Sequence, residues 1–130
     1  FAGQPCDMRT ISSLAKRFNF KVIEDASHAI GSKYFQNYTG NCLYSDITVF
    51  SFHPVKIVTS GEGGAITTND KKLADRIKLF RENGIHSIKK KFKNTPYYPN
   101  YYEQVDIGFN FRMSEIEAAI SIEQLKMQHL

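Results

Sequence analysis

No apolar run in these 130 residues approaches the roughly 20 consecutive residues that a bilayer-spanning helix needs, and the N-terminus lacks the layout of a signal peptide. A membrane span is therefore not expected. Cysteine is scarce. Cys6 and Cys42 stand alone without CxxC spacing, which gives neither a metal nor a redox signature and reads as two ordinary thiols of a cytoplasmic chain. No internal repeat is visible, so a solenoid or propeller is not expected. An initiating methionine is also missing. The chain opens "FAGQ" and stops at "KMQHL" inside a helical pattern, which reads as a piece of something longer.

What is present is the composition of a soluble globular protein of one domain at most, with 42% hydrophobic and 23% charged residues. The net charge of +4 is local. Lys89, Lys90, Lys91 and Lys93 all lie in "SIKKKFKN", and without them the other 13 of the 17 basic residues match the 13 acidic ones. Tyr97, Tyr98, Tyr101 and Tyr102 follow, so this stretch offers a basic groove with stacking aromatics, the pattern of a nucleic-acid-binding module. A solvated loop is the simpler reading of the same residues.

From Asp7 the spacing predicts a helix with an apolar stripe of Ile11, Leu14, Ala15 and Phe18, capped by Asp7 and ended by Asn19. "FKVIED" reads as a buried strand, residues 31–45 as irregular and polar, "DITVFSF" as a second strand and "GAITT" as a third. Asp70 can cap a further helix with the stripe Leu73, Ile77 and Phe80, stopped by "NG" at 83–84. Residues 85–109 read as a long loop, which at this length is either functional or disordered. The last helix opens with "SEIE", where Ser114 and Glu117 form a capping box and Met113 with Ala118 a hydrophobic staple. Helices alternating with short apolar strands predict an α/β layered fold with a largely parallel sheet.

In such sheets ligands bind outside the carboxyl ends of the strands. Asp25 ends one strand, and Ser51, His53 and Lys56 cluster after the next, in "SFHPVKIVTSGEGGAITTND". A lysine amine forms Schiff bases with carbonyls, a carboxylate can hold a ring nitrogen protonated, and a hydroxyl can hold a phosphate. Together these match the needs of pyridoxal phosphate. On composition alone the simpler readings are Lys56 as a surface lysine, Asp25 as a turn or cap residue, and His28 and His53 as structural histidines. Gly61, Gly63 and Gly64 read as turn glycines that let the backbone curl near the lysine, because "GEGG" lacks both the P-loop ending and the GxGxxG spacing. No metal ligands are expected.

Three stretches in order, "VIEDASHAIGSKY", "SDITVFSFHPVKIVTSGEGGAITTND" and "DIGFNFRMSEIEAA", resemble the DegT/DnrJ/EryC1/StrS sugar aminotransferases. The resemblance covers nearly the whole chain. It implies the aspartate aminotransferase fold (PLP fold type I, a three-layer α/β/α domain with a mostly parallel sheet), with residues 1–130 as the central section of the large PLP-binding domain. The N-terminal cofactor-binding part and the C-terminal small domain of the family have no counterpart here. "FSFHPVK" and the tyrosine-containing insertion look most like the subgroup that aminates UDP-4-keto sugars for pseudaminic acid.

The resemblance implies roles for seven residues. Lys56 matches the lysine that joins the cofactor and later shuttles a proton to the sugar C4. Asp25 matches the carboxylate on the pyridine nitrogen, His28 the residue on the phenolic oxygen, and Ser51 the hydroxyl on the phosphate. Asn110 matches an asparagine that reaches across a dimer interface to the neighbouring subunit's phosphate. His53 and Arg112 match pocket positions with substrate-binding roles. The implied ligands are pyridoxal 5'-phosphate, a nucleotide-sugar and an amino donor, usually glutamate, in a homodimer with shared sites and no nucleic acid. Family members that dehydrate sugars carry histidine at the lysine position, and Lys56 argues against that branch. The rival implication is a non-catalytic fragment.

Overall fold

The structure, a computed structural model, describes residues 1–86 and 102–128. They fall into two compact units, one of residues 1–71 together with the chain from 113 onward, the other of residues 72–112.

The first unit opens with helix α1 (Met8–Phe18). Asp7 caps it, taking the Thr10 O–H at 2.6 Å and the Thr10 N–H at 3.3 Å, and Asn19 ends it in a left-handed conformation with φ 53°. The expected stripe is only half used. Met8 and Ala15 are buried with Val22, and Ile11 packs on them, whereas Leu14 and Phe18 are exposed.

Three strands form the main sheet in the order β1 (Ile23–Asp25), β4 (Ile47–Ser51), β5 (Gly64–Thr67). The β1–β4 pair is parallel with Asp25 opposite Val49, and the β4–β5 pair is antiparallel with Ser51 opposite Gly64. The sheet, expected to be largely parallel, is mixed in its described strands, because "GEGG" brings β5 straight back antiparallel alongside β4. The expectation of a buried first strand also needs correcting. Only Ile23–Asp25 joins the ladder, on the sheet's edge, and Ile23 is 66% exposed. β4 alternates as a half-buried strand should. Thr48 and Phe50 point inward, and Phe50 joins Phe52, Val58 and Ala26 in a core flanked by Ala29, Ile30, Ala65 and Met113.

Residues 31–45 are not irregular throughout. β2 (Lys33–Tyr34) and β3 (Asn37–Tyr38) make an antiparallel hairpin. Its turn places Phe35 at φ 54° without the glycine that usually marks such turns. The Phe35 ring is held by the edge of Tyr34 at 4.6 Å and by the Arg9 guanidinium at 4.1 Å.

Helix α3 (Glu115–Met127) carries the full capping box, with the Ser114 Oγ accepting the Glu117 N–H at 3.2 Å and Glu117 Oε2 accepting the Ser114 N–H at 2.9 Å. Met113 lies against the core that holds Phe50 and Phe52.

In the second unit helix α2 (Lys71–Arg81) begins directly after Asp70, and its stripe residues Leu73 and Ile77 are half-buried while Phe80 is exposed. The expected long loop is zipped at its ends. β6 (Ile85–His86) pairs antiparallel with β7 (Glu103–Gln104). A Cβ on Gly84 would run into the Asp106 carbonyl, so the close approach of these two segments needs glycine. Lys89, Lys90, Lys91, Lys93, Tyr97, Tyr98 and Tyr101, which carry the basic and stacking expectation, lie outside the described residues; Tyr102 is described and exposed.

Candidate active site

Asp25 is the last residue of β1, and the chain turns at once. The Ala29 N–H donates to the Ala26 carbonyl at 2.9 Å, closing a turn around Ser27–His28. Asp25 Oδ1 accepts both the Ser27 O–H at 2.6 Å and the Ser27 N–H at 3.0 Å. This side-chain turn is what an Asp-x-Ser sequence offers at a strand end. The Ser27 hydroxyl, then its N–H, hold the Asp25 carboxyl below its ordinary value of 3.8; slight burial opposes them, and the charges of Lys56 and His28 assist. Lys56 and His28 are thus electrostatic neighbours of Asp25. Oδ2 of Asp25 has no hydrogen bond among the described residues.

Lys56 sits in the loop that joins β4 to β5. At its neck the Phe52 N–H donates to the Gly63 carbonyl at 2.8 Å, while the Phe52 carbonyl accepts the Ser60 N–H and the Thr59 O–H, each at 3.0 Å. Inside the neck, the His53 carbonyl accepts the Lys56 N–H at 2.9 Å, forming a turn with Pro54 in the position its fixed φ favours. Val58 anchors the loop at 1% exposure, whereas Val55 and Ile57, on either side of Lys56, are exposed. The Lys56 side chain is half-buried, and its Nζ makes no hydrogen bond or ion pair among the described residues.

The glycines fit this design. Gly63 adopts φ 144°, and a Cβ there would meet Met113 Cε; a Cβ on Gly64 would lie 2.6 Å from the Phe50 carbonyl oxygen. Ser51 Oγ accepts the His53 N–H at 3.3 Å, leaving its own proton without an acceptor among the described residues. His53 Nδ1 lies 3.5 Å from the Val55 N–H, and its Nε2 is 4.0 Å from Glu62 Oε1.

The structure therefore gathers Asp25, His28, Ser51, His53 and Lys56 in the first unit, at and beyond the carboxyl ends of β1 and β4. Asn110 and Arg112 belong to the second unit. There Asn110 bridges Glu82 through the backbone, and Arg112 NH1 lies 3.5 Å from Glu82 Oε2. Ser27, Thr59 and Glu82 are the partners that sequence reasoning missed. Only Ser27 had a readable signal, in the Asp-x-Ser spacing.

The donor set suits pyridoxal phosphate: an unpaired primary amine, an ionised carboxylate with one open oxygen, and a free hydroxyl proton within one strand-end cluster. Among the described residues no three His, Cys, Asp or Glu converge as a metal site, and no helix is long and apolar enough to cross a membrane. A cavity of about 20 Å³ beside Glu24, Tyr34 and Tyr44 has room for one water and includes none of the expected site residues.

The model of the DegT/DnrJ/EryC1/StrS aminotransferase family matches residues 1–129. The UDP-4-amino-4,6-dideoxy-N-acetyl-beta-L-altrosamine transaminase of Campylobacter jejuni is 41% identical over 126 residues, 97% of this chain and 31% of that protein. The GDP-perosamine synthase of Escherichia coli O157:H7 is 44% identical over 124 residues, 95% of this chain and 30% of that protein. Among solved structures, Helicobacter pylori PseC, an aminotransferase involved in the biosynthesis of pseudoaminic acid, superposes with a TM-score of 0.84 at 35% identity, over 97% of this chain and 31% of that one. The chain spans about 31% of the length of the relatives it matches.

Proposed function

Because the chain belongs to the DegT/DnrJ/EryC1/StrS aminotransferase family, we propose that it forms the central section of the large domain of a pyridoxal-phosphate-dependent nucleotide-sugar aminotransferase. The observation that carries this reading is the half-buried Lys56 amine, without a hydrogen bond or ion pair among the described residues, in the loop that leaves β4 at the strand end beside Asp25. When bound, pyridoxal phosphate supplies a carbon that accepts an amino group and a ring that draws in the electrons released as a neighbouring C–H bond gives up its proton.

The chain's own residues hold and serve that group. Asp25 would hold the ring nitrogen protonated, while Ser27 keeps the carboxylate ionised. The Ser51 hydroxyl would donate to the phosphate, and His28 would take the ring's phenolic oxygen. Lys56 Nζ carries a proton to and from C4 of the sugar, and the turn at Pro54 sets its reach. His53 and Arg112 bind substrate, and Asn110 reaches the phosphate of a second subunit in a cytoplasmic homodimer with shared sites.

The substrate is a UDP-linked 4-keto-6-deoxy sugar of the pseudaminic acid pathway, with glutamate as the amino donor. The name of the C. jejuni relative supports the UDP-sugar, and the perosamine synthase makes a GDP-sugar its competitor. Assaying the complete polypeptide with glutamate and each 4-keto sugar nucleotide tests this. Turnover of the UDP substrate with a clearly higher kcat/KM is expected. Preference for the GDP substrate would overturn the sugar assignment, and no amino transfer to either would overturn the activity.

A further inference from the structure

Glu82 directly follows α2, and its carboxylate lies between two guanidiniums. Oε1 accepts from Arg81 Nε at 3.0 Å and from Arg81 NH2 at 2.8 Å, while Oε2 faces Arg112 NH1 at 3.5 Å. The backbone holds the same two segments together. Glu82 bridges Asn110, and the Arg81 carbonyl accepts the Phe111 N–H at 3.1 Å. Glu82 thus ties the end of α2 to the Asn110–Arg112 stretch through both main chain and side chain.

Two guanidiniums and one carboxylate leave one net positive charge, which suits an anion. Arg81 holds its oxygen with two short bonds, whereas Arg112 touches Glu82 through one nitrogen at the edge of bonding distance. The Arg112 side chain is 48% exposed, and the rest of its five-donor fork has no partner among the described residues. A partly exposed pair of this kind adds little stability. What it does is narrow the conformations of a long side chain before a ligand arrives, so that less rotamer entropy is lost on binding.

We propose that Glu82 is a positioning residue for Arg112, presenting its guanidinium to an anionic group of a substrate. That group is either the carboxylate of the amino donor or the diphosphate of the nucleotide-sugar. The proposal rests on the reading above that Arg112 binds substrate.

The test uses the complete polypeptide with its cofactor and compares wild type, Glu82→Gln, Arg112→Ala and the double variant. KM and kcat are measured for each substrate, and the Kd of UDP alone and of glutamate alone for each protein. Glu82→Gln is expected to raise one KM and the matching Kd roughly two- to fivefold, the scale of an exposed ion pair, with kcat unchanged. In the Arg112→Ala background the same change is expected to add nothing. A rise confined to glutamate identifies the carboxylate; one confined to the UDP compounds identifies the diphosphate. If Arg112→Ala weakens binding and Glu82→Gln does not, the positioning role is overturned while the role of Arg112 stands. Equal losses from Glu82→Gln in both backgrounds also overturn it, as a purely structural effect. If Arg112→Ala alone changes no constant, the assignment of Arg112 as a substrate ligand falls, and the positioning role with it.

Discussion

At the scale of single residues, Asp25 commits one carboxylate oxygen to its turn and leaves the other open. Oδ1 takes both hydrogen bonds from Ser27, and Oδ2 stays open. Because these bonds lower the folded-state pKa below 3.8, the stabilisation is fully present above that ordinary value and is lost as pH falls through the lowered one. Ser27→Ala removes both the largest cause and part of the turn, so the Asp25 carboxyl should titrate at a higher pH than in wild type. A carboxyl-detected NMR titration of the two proteins checks this, and identical midpoints would mean that Ser27 does not govern the acid. The places of Asp25 at the end of β1 and of Lys56 just beyond β4 were legible in the sequence, because strand ends are readable from β-branched runs and turn residues. Ser27 and Glu82 were harder, since a hydrogen-bond partner depends on turn geometry and on which segments meet in space.

Among the elements, the Lys56 loop depends on the β4–β5 pair that carries it. Ser51 lies opposite Gly64, where an added Cβ would sit 2.6 Å from the Phe50 carbonyl oxygen, a backbone atom that cannot move without breaking the ladder. Gly64→Ala is therefore expected to cost about 2 kcal/mol, the scale of overpacking a well-packed site, and thermal melting will read it. A melting temperature equal to wild type would show the pair to be more pliable than its register implies. The helices and these two strands were legible because caps and alternation are local: "SEIE" announces α3, and "ITVFS" announces β4. The β2–β3 hairpin was not, since Phe35 sits at φ 54° where Asn-Gly or Gly is the usual signal. The β6–β7 ladder was hidden for another reason. Its strands are two residues each and far apart in sequence, so no local pattern marks them.

On the scale of the whole molecule, large apolar side chains remain open on several faces of the described residues. Ile23 on the edge strand is 66% exposed, Val55 beside the lysine 78%, and Ile116 on α3 76%. Single exposed apolar residues of this kind are ordinary on a folded chain. β1 reads as a buried strand from its apolar residues, yet at the edge of the described three-stranded sheet it leaves Ile23 open to solvent.

Everything proposed for the site turns on Lys56 as the cofactor lysine. The direct measurement is to incubate the complete polypeptide with pyridoxal phosphate, reduce with borohydride, digest, and locate the modified lysine by mass spectrometry. One stoichiometric adduct on Lys56, absent from Lys56→Ala, is expected. A stoichiometric adduct on another lysine, or scattered labelling that persists in Lys56→Ala, would contradict it.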